Sequence, residues 1–266
     1  MRVKLERDED ERIAWVRLSY PERLNVLHLE MLKELHGALT EADRDDGVCA
    51  VIITGEGGVF SAGADLKEIM GQSFKDGLRW LRAYWSVLEL VRETGKLVVA
   101  AVRGPCVAGG NELAMMCDLT VAGKSARFGQ PELLVGSTAM GGGVQMLPLI
   151  VGEKRARELL FTARTLSAEE AYQLGLVNRV VDDAEVESEA RKLALEVIDR
   201  VSPQAFRVVK SSLKFWTDLA MLNWQLARDV TAMVWATEEF KQRSKNFLEK
   251  KKTPPQKFTG ITPKQH

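Results

Sequence analysis

Histidine is nearly absent from this chain. There are three in 266 residues, His28, His36 and His266, and no G-x-S-x-G elbow accompanies them. A serine-triad hydrolase therefore finds no support, and each histidine reads as a surface or packing residue. Cysteine is equally scarce: Cys49, Cys106 and Cys117 lie in apolar surroundings without C-x-x-C or metal-ligand spacing. They read as small buried hydrophobes in a reducing compartment. Neither a P-loop nor a G-x-G-x-x-G fingerprint opens a helix, which argues against nucleoside-triphosphate and dinucleotide binding. No apolar run reaches the length of a bilayer span, and the opening "MRVKLERDEDERIAWVRLSY" is charged where a signal peptide needs an apolar core. Net charge is lacking too, with 37 basic residues against 37 acidic ones. Nothing in that balance points to nucleic acid or a membrane surface. The expectation is a cytoplasmic protein with neither as a partner.

The chain is long enough to bury a substantial core. "RIAWVRLSY" alternates as a strand does and stops at Pro21, and "HLEMLKELHGALTEADRD" carries Leu29, Leu32, Leu35 and Leu39 at helical spacing. "VCAVIITG" and "KLVVAAVRG" read as buried strands, separated by helices near "ADLKEIM" and "DGLRWLRAYWSVLELVRE". Strand, crossover helix and strand in alternation predict parallel β-α-β units and an α/β fold. Further on, "LTVAG", "ARFGQPE" and "LVNRVV" read as short strands. "GEKRARELLFTA" and "SAEEAYQLG" read as helices, the second with a Ser167–Glu170 capping box and Gly175 as its C-terminal cap. Ser202-Pro203 opens a stretch expected to stay helical to about Lys252. Its apolar stripe, Leu219, Leu222, Leu226, Val230, Met233 and Val234, flanked by Trp216, Trp224 and Trp235, suits either core or a subunit interface. These readings divide the chain into a core at 1–200, a helical region at 201–252 and a Pro-rich tail at 253–266.

Two segments are built alike. "VIITGEGGVFSAGADLKEI" and "LVVAAVRGPCVAGGNELAMM" each run from an apolar strand, through a loop of glycine and small residues, into a helix. Each helix start exposes unpaired N–H groups, and small residues let a ligand approach them. If the two starts converge, two N–H donors meet one oxygen, which is an oxyanion hole. The bland alternative is a pair of ordinary β-α turns. Glu112 follows Gly109-Gly110-Asn111 and opens an apolar run, and Glu132 follows Pro131 in a similar setting. Each could be a solvated first-turn glutamate. Brought together in a dry pocket, two carboxylates would push one pKa up, so that one holds a proton while the other polarises water.

"FSAGADLKEI", "GGNELAMMCD" and "RFGQPELLVG" in that order, with "ERLNVL" before and "FLEKK" after, resemble the crotonase superfamily, most closely its enoyl-CoA hydratases. The likeness runs from about Trp15 to Lys250. It implies a spiral of β-β-α turns with a C-terminal helical oligomerisation region, assembled as homotrimers or dimers of trimers. It implies acyl-CoA thioester substrates, with coenzyme A as part of the substrate and no metal or redox cofactor. By motif match, the Ala64 and Gly109 amides would form the oxyanion hole, with Glu112 and Glu132 the catalytic carboxylates. Glu112 would activate water for attack at Cβ, and Glu132 would protonate Cα. The CoA moiety would lie along Leu24 and Val26 of "ERLNVL" and Ser61, Ala62 and Asp65 of "SAGAD", with Phe247 and Lys250 at its adenine end.

The chain departs from the family pattern after Glu132. Ala139-Met140 stands where hydratases carry Pro-Gly, and Met146 stands where they carry Arg. Met140 falls beside the expected site of the reacting acyl carbons and would narrow the pocket. Enoyl-CoA isomerisation, thioester hydrolysis and C–C cleavage thus stand as alternatives to hydration. A non-catalytic acyl-CoA-binding subunit is the alternative from another class.

Overall fold

A computed structural model describes residues 1–8 and 12–255. The large sheet begins with a hairpin of β1 (Val3–Asp8) and β2 (Ile13–Leu18), paired antiparallel with Val3 opposite Leu18. Onto β2 are added, all parallel, β3 (Ala50–Gly55), β4 (Leu97–Val102), β6 (Leu119–Gly123) and β9 (Arg179–Val181). A small sheet holds β5 (Pro105–Val107), β7 (Arg127–Gly129) and β8 (Thr165–Ser167) in the order β5-β7-β8.

Helices fill the connections. α1 (Leu29–Arg44), α2 (Leu66–Ile69), α3 (Phe74–Glu93) and α4 (Gly109–Met116) precede α5 (Gly143–Val151), α6 (Glu153–Thr162), α7 (Ala168–Gln173) and α8 (Val186–Ile198). α9 (Pro203–Met221), α10 (Trp224–Trp235) and α11 (Glu238–Leu248) follow. The chain therefore turns as a spiral. Each winding takes a strand of the large sheet, then one of the small sheet, then a helix: β4-β5-α4, and again β6-β7-α5. After β3 the small sheet gains only a one-residue bridge, Ser61 to Cys106, before α2.

β3 and β4 are buried along their whole length, because both faces of the sheet are covered. Val51 and Ile53 of β3, with Val98, Ala100 and Val102 of β4, face the main core, where α1 and α3 pack. The alternate residues Ala50, Ile52, Leu97, Val99 and Ala101 face Val186, Ala190, Leu193 and Ala194 of α8. This period-two division is what two-sided burial does to a strand. His28, expected at a surface or in packing, caps α1, its Nδ1 accepting from the Met31 amide at 3.2 Å.

Three readings need correction. The region after Ser202 is three helices and not one: it breaks at Leu222-Asn223 and again at Thr237, whose hydroxyl caps α11 by accepting from the Phe240 amide. Of the two readings of the stripe along it, core is excluded, since Leu219, Leu222, Leu226 and Met233 are exposed. α10 instead buries Ala227, Thr231, Ala232 and Trp235, of which Ala232 and Trp235 lie close to Gly77 of α3. Third, α4 begins at Gly109, so the glycine pair lies inside the first turn and not before it. Residues 256–266 of the expected tail, with His266, lie outside the described residues.

Candidate active site

The two similar turns do converge. Val107 N–H donates to the Ser61 carbonyl at 3.0 Å, beside the Ser61–Cys106 bridge. Gly63 sits at the closest point, with φ +81°; a Cβ there would lie 2.7 Å from Ala108 Cβ and 2.8 Å from Gly109 N. Only glycine permits both that conformation and that approach. Ala108 ahead of α4 takes φ 51° and ψ −130°, a strained conformation held by its N–H bond to Gly129 O at 2.9 Å. Among the described residues, neither the Ala64 N–H nor the Gly109 N–H donates a hydrogen bond. Both residues line one cavity of about 310 Å³.

Glu112 and Glu132 line the same cavity, and both are buried. Glu112 projects from the first turn of α4. Its Oε1 accepts from Gly143 N–H at 2.9 Å and its Oε2 lies 3.1 Å from the Tyr84 hydroxyl. The phenol has one hydrogen, and Gly109 O at 2.7 Å competes for it with Glu112 Oε2, so Tyr84 touches both the carboxylate and a residue of the amide pair. Gly141 closes over Glu112, where a Cβ would stand 2.5 Å from Oε2. Burial pushes the Glu112 carboxyl up to about 7, opposed by the Gly143 amide, the Tyr84 hydroxyl and the Gly141 amide.

Glu132 opens a single 3-10 turn after Pro131. Its Oε2 is buried with no hydrogen-bond partner. The Gln130 amide approaches its Oε1 at 3.4 Å through one end, while the other end faces the Gly129 and Ala108 carbonyls at 2.7 and 3.1 Å. Only a nitrogen satisfies two carbonyls, so the amide oxygen turns toward Glu132 and favours a proton there. Burial first, and then the charge on Glu112, raise Glu132 well above the ordinary carboxylate range. The pair is thus suited to share one proton near neutral pH, held on Glu132, with Glu112 ionised and accepting from the Gly143 amide.

The other expected residues divide. Leu24, Ala62 and Phe247 line the cavity, and Leu24 and Phe247, both exposed, mark where it opens. Ser61 and Asp65 are buried off the cavity and act as clasps. Ser61 Oγ donates to Asn25 O at 2.8 Å, and Asp65 caps α2 while pairing with Arg23 at 2.8 Å. Val26 is half-buried and Lys250 exposed, and neither lines the cavity. Met140, expected against the acyl group, is half-buried and outside the lining, whereas its neighbours Thr138 and Gly141 are part of it. The sequence reading did not find Tyr84, Trp80 or Trp235, which line the far side of the cavity. Their only signal is the aromatic spacing of Trp80 and Tyr84 in α3, ring centroids 5.2 Å apart, which an ordinary core helix shows equally.

The chain resembles known proteins over nearly its whole length. The model of the enoyl-CoA hydratase/isomerase family matches residues 8–257. A probable enoyl-CoA hydratase of Mycobacterium bovis is 36% identical over 246 residues, covering 92% of this chain and 94% of that protein. The crotonyl-CoA hydratase of Syntrophomonas wolfei is 35% identical over 248 residues, covering 92% and 95%. A crystal structure of an enoyl-CoA hydratase/isomerase from Xanthobacter autotrophicus superposes with a TM-score of 0.84 at 32% identity, covering 94% of this chain and 93% of that one. The chain belongs to the enoyl-CoA hydratase/isomerase family.

Proposed function

We propose that the protein is an enoyl-CoA hydratase, adding water across the 2,3 double bond of an acyl-CoA thioester. One observation carries this reading: a single cavity is lined by two residues with unspent amides, Ala64 and Gly109, and by two buried carboxyls. Coenzyme A enters as part of the substrate, and no other cofactor is called for. Attack of water at Cβ drives charge onto the thioester oxygen, where the Ala64 and Gly109 N–H groups receive it. Losing one such donor typically costs about 3–4 kcal/mol of barrier. Ionised Glu112 takes the proton of the attacking water, and protonated Glu132 delivers its own to Cα. The difference in their surroundings supports this division, since Glu112 Oε1 accepts from the Gly143 amide and Glu132 Oε2 has no partner.

The CoA chain enters past Leu24 and Ala62 toward Phe247, with Lys250 beyond the opening. The enzyme works in the cytoplasm as a homotrimer or a dimer of trimers, a reading supported by the exposed apolar residues of α9 and α10. Among the described residues, no helix is long and apolar enough to cross a membrane. Incubation with a short-chain 2-enoyl-CoA followed by mass spectrometry tests the function. A gain of one water is the expected result. An unchanged mass with a shifted double bond would mean isomerisation, released CoA would mean hydrolysis, and an untouched thioester would mean binding without turnover.

A further inference from the structure

Tyr84 lines the cavity at 2% exposure, and no step of the hydration uses it. Packing asks only for its ring. Trp80 lies against that ring, with centroids 5.2 Å apart. Two glycines leave it room: a Cβ on Gly141 would stand 2.9 Å from Tyr84 Cε1, and one on Gly109 would stand 3.2 Å from the hydroxyl oxygen. Phenylalanine would fill this space as well, so the hydroxyl needs an account of its own. It has one hydrogen and two acceptors, Gly109 O at 2.7 Å and Glu112 Oε2 at 3.1 Å.

The two acceptors are not equivalent. Gly109 O is the first carbonyl of α4, so the helix ladder also supplies it a partner. Glu112 Oε2 carries charge only while the carboxyl is ionised, and a charged acceptor holds a donor about twice as strongly as a neutral one. The hydrogen therefore belongs on Oε2 when Glu112 is ionised and on Gly109 O when it is not, a rotation about the C–O bond apart. The Gly143 amide differs, being a backbone donor fixed on Oε1. A donor with a second acceptor stabilises the ionised carboxylate and is not orphaned when the carboxyl is neutral. The phenol itself stays protonated, since burial and then the Glu112 charge push it well above its ordinary value. Among the described residues, the other titratable groups acting on this cluster are Glu132 of the 3-10 turn and the Cys106 thiol of β5, which burial keeps neutral.

We propose that Tyr84 is a positioning residue for the reaction, its hydrogen moving from Glu112 Oε2 to Gly109 O as Glu112 takes the proton of water and returning as that proton leaves. The proposal rests on the hydration reading and gives the base of that site its partner.

The test is the pH dependence of kcat/KM for a short-chain 2-enoyl-CoA, in wild type, in Tyr84→Phe and in a variant carrying 3-fluorotyrosine in place of Tyr84. Tyr84→Phe keeps the ring and removes the donor. Its acid limb should move up by about one pH unit, the scale of one hydrogen bond to a charged group, so the loss of rate is largest at low pH. Fluorine beside the hydroxyl makes a stronger donor at nearly constant shape, so that limb should move down; this variant serves alone if Tyr84→Phe does not fold. A limb that stays in place in a folded variant, or a loss of rate equal at every pH, overturns the proposal and leaves the hydration reading intact. Absence of hydration by wild type overturns that reading, and the proposal with it.

Discussion

At the scale of single residues, the proposed mechanism rests on making two like carboxyls unlike. Glu112 has the Gly143 amide and the Tyr84 hydroxyl, and Glu132 Oε2 has no partner. Glu132→Gln removes the transferable proton at nearly constant shape. It should lower hydration turnover by about a hundredfold or more, the usual range for losing a general acid or base; near-normal turnover would remove Glu132 from the mechanism. Because Glu112 must be ionised to activate water and is pushed up to about 7, kcat/KM should fall as pH drops below about 7. A profile flat down to the ordinary carboxylate range would contradict that role. The same raised pKa values affect stability. A carboxyl raised in the folded state binds more protons there than when unfolded, so its contribution is present at low pH and is lost as pH rises through the folded value. Glu132→Gln should therefore raise the melting temperature relative to wild type more at pH 8 than at pH 5. The two glutamates and the two amides were legible because each lies in a short motif with small residues around it. Tyr84 was not, since it reaches Glu112 from 28 positions away on another helix. Asn25 was overlooked as well: it is fully buried, and its Nδ2 donates to Val59 O at 2.7 Å, so it holds "ERLNVL" against the loop after β3.

At the scale of elements, the site depends on two strand-turn-helix units pressed together more closely than side chains allow. Gly63→Ala tests this. The added methyl would stand 2.8 Å from Gly109 N at a backbone φ of +81°, so the loops must part. Turnover should fall by about a hundredfold or more, comparable to losing an oxyanion donor, and the melting temperature should fall with it. Normal turnover would mean that the spacing of the loops does not matter. The long strands β3 and β4 could be read from sequence because both faces are buried and, Thr54 and the terminal Gly55 apart, their positions are apolar. β5 and β8 have three residues each, too few for a period to show, whereas β7, equally short, was read within "ARFGQPE"; β1, "VKLERD", is half-exposed with charges on its outer face. The C-terminal breaks were hidden for another reason. Thr237 and Asn223 act locally as a cap and a turn, while the apolar pattern continues across them.

At the scale of the whole molecule, α9 and α10 turn outward the apolar stripe that suited either core or a subunit interface. Trp216 is 62% exposed, Leu222 81% and Leu226 62%, with Val208 and Leu213 exposed on the same helical region. A cluster of this kind calls for a cover, and in the proposed assembly further copies of the chain would supply one. Light scattering should give the mass of three or six chains, and Trp216→Glu with Leu222→Glu should reduce it to one; a single-chain mass for wild type would refute the assembly. The central claim concerns one oxygen atom held by two amides. Infrared difference spectroscopy of the thioester carbonyl, carbon-13 labelled and bound as an unreactive saturated acyl-CoA, reads that directly. Donation from Ala64 and Gly109 weakens the C=O bond, so its band should move to lower frequency than in water, and should move back in Gly63→Ala. A bound carbonyl absorbing at its solution frequency would contradict the account.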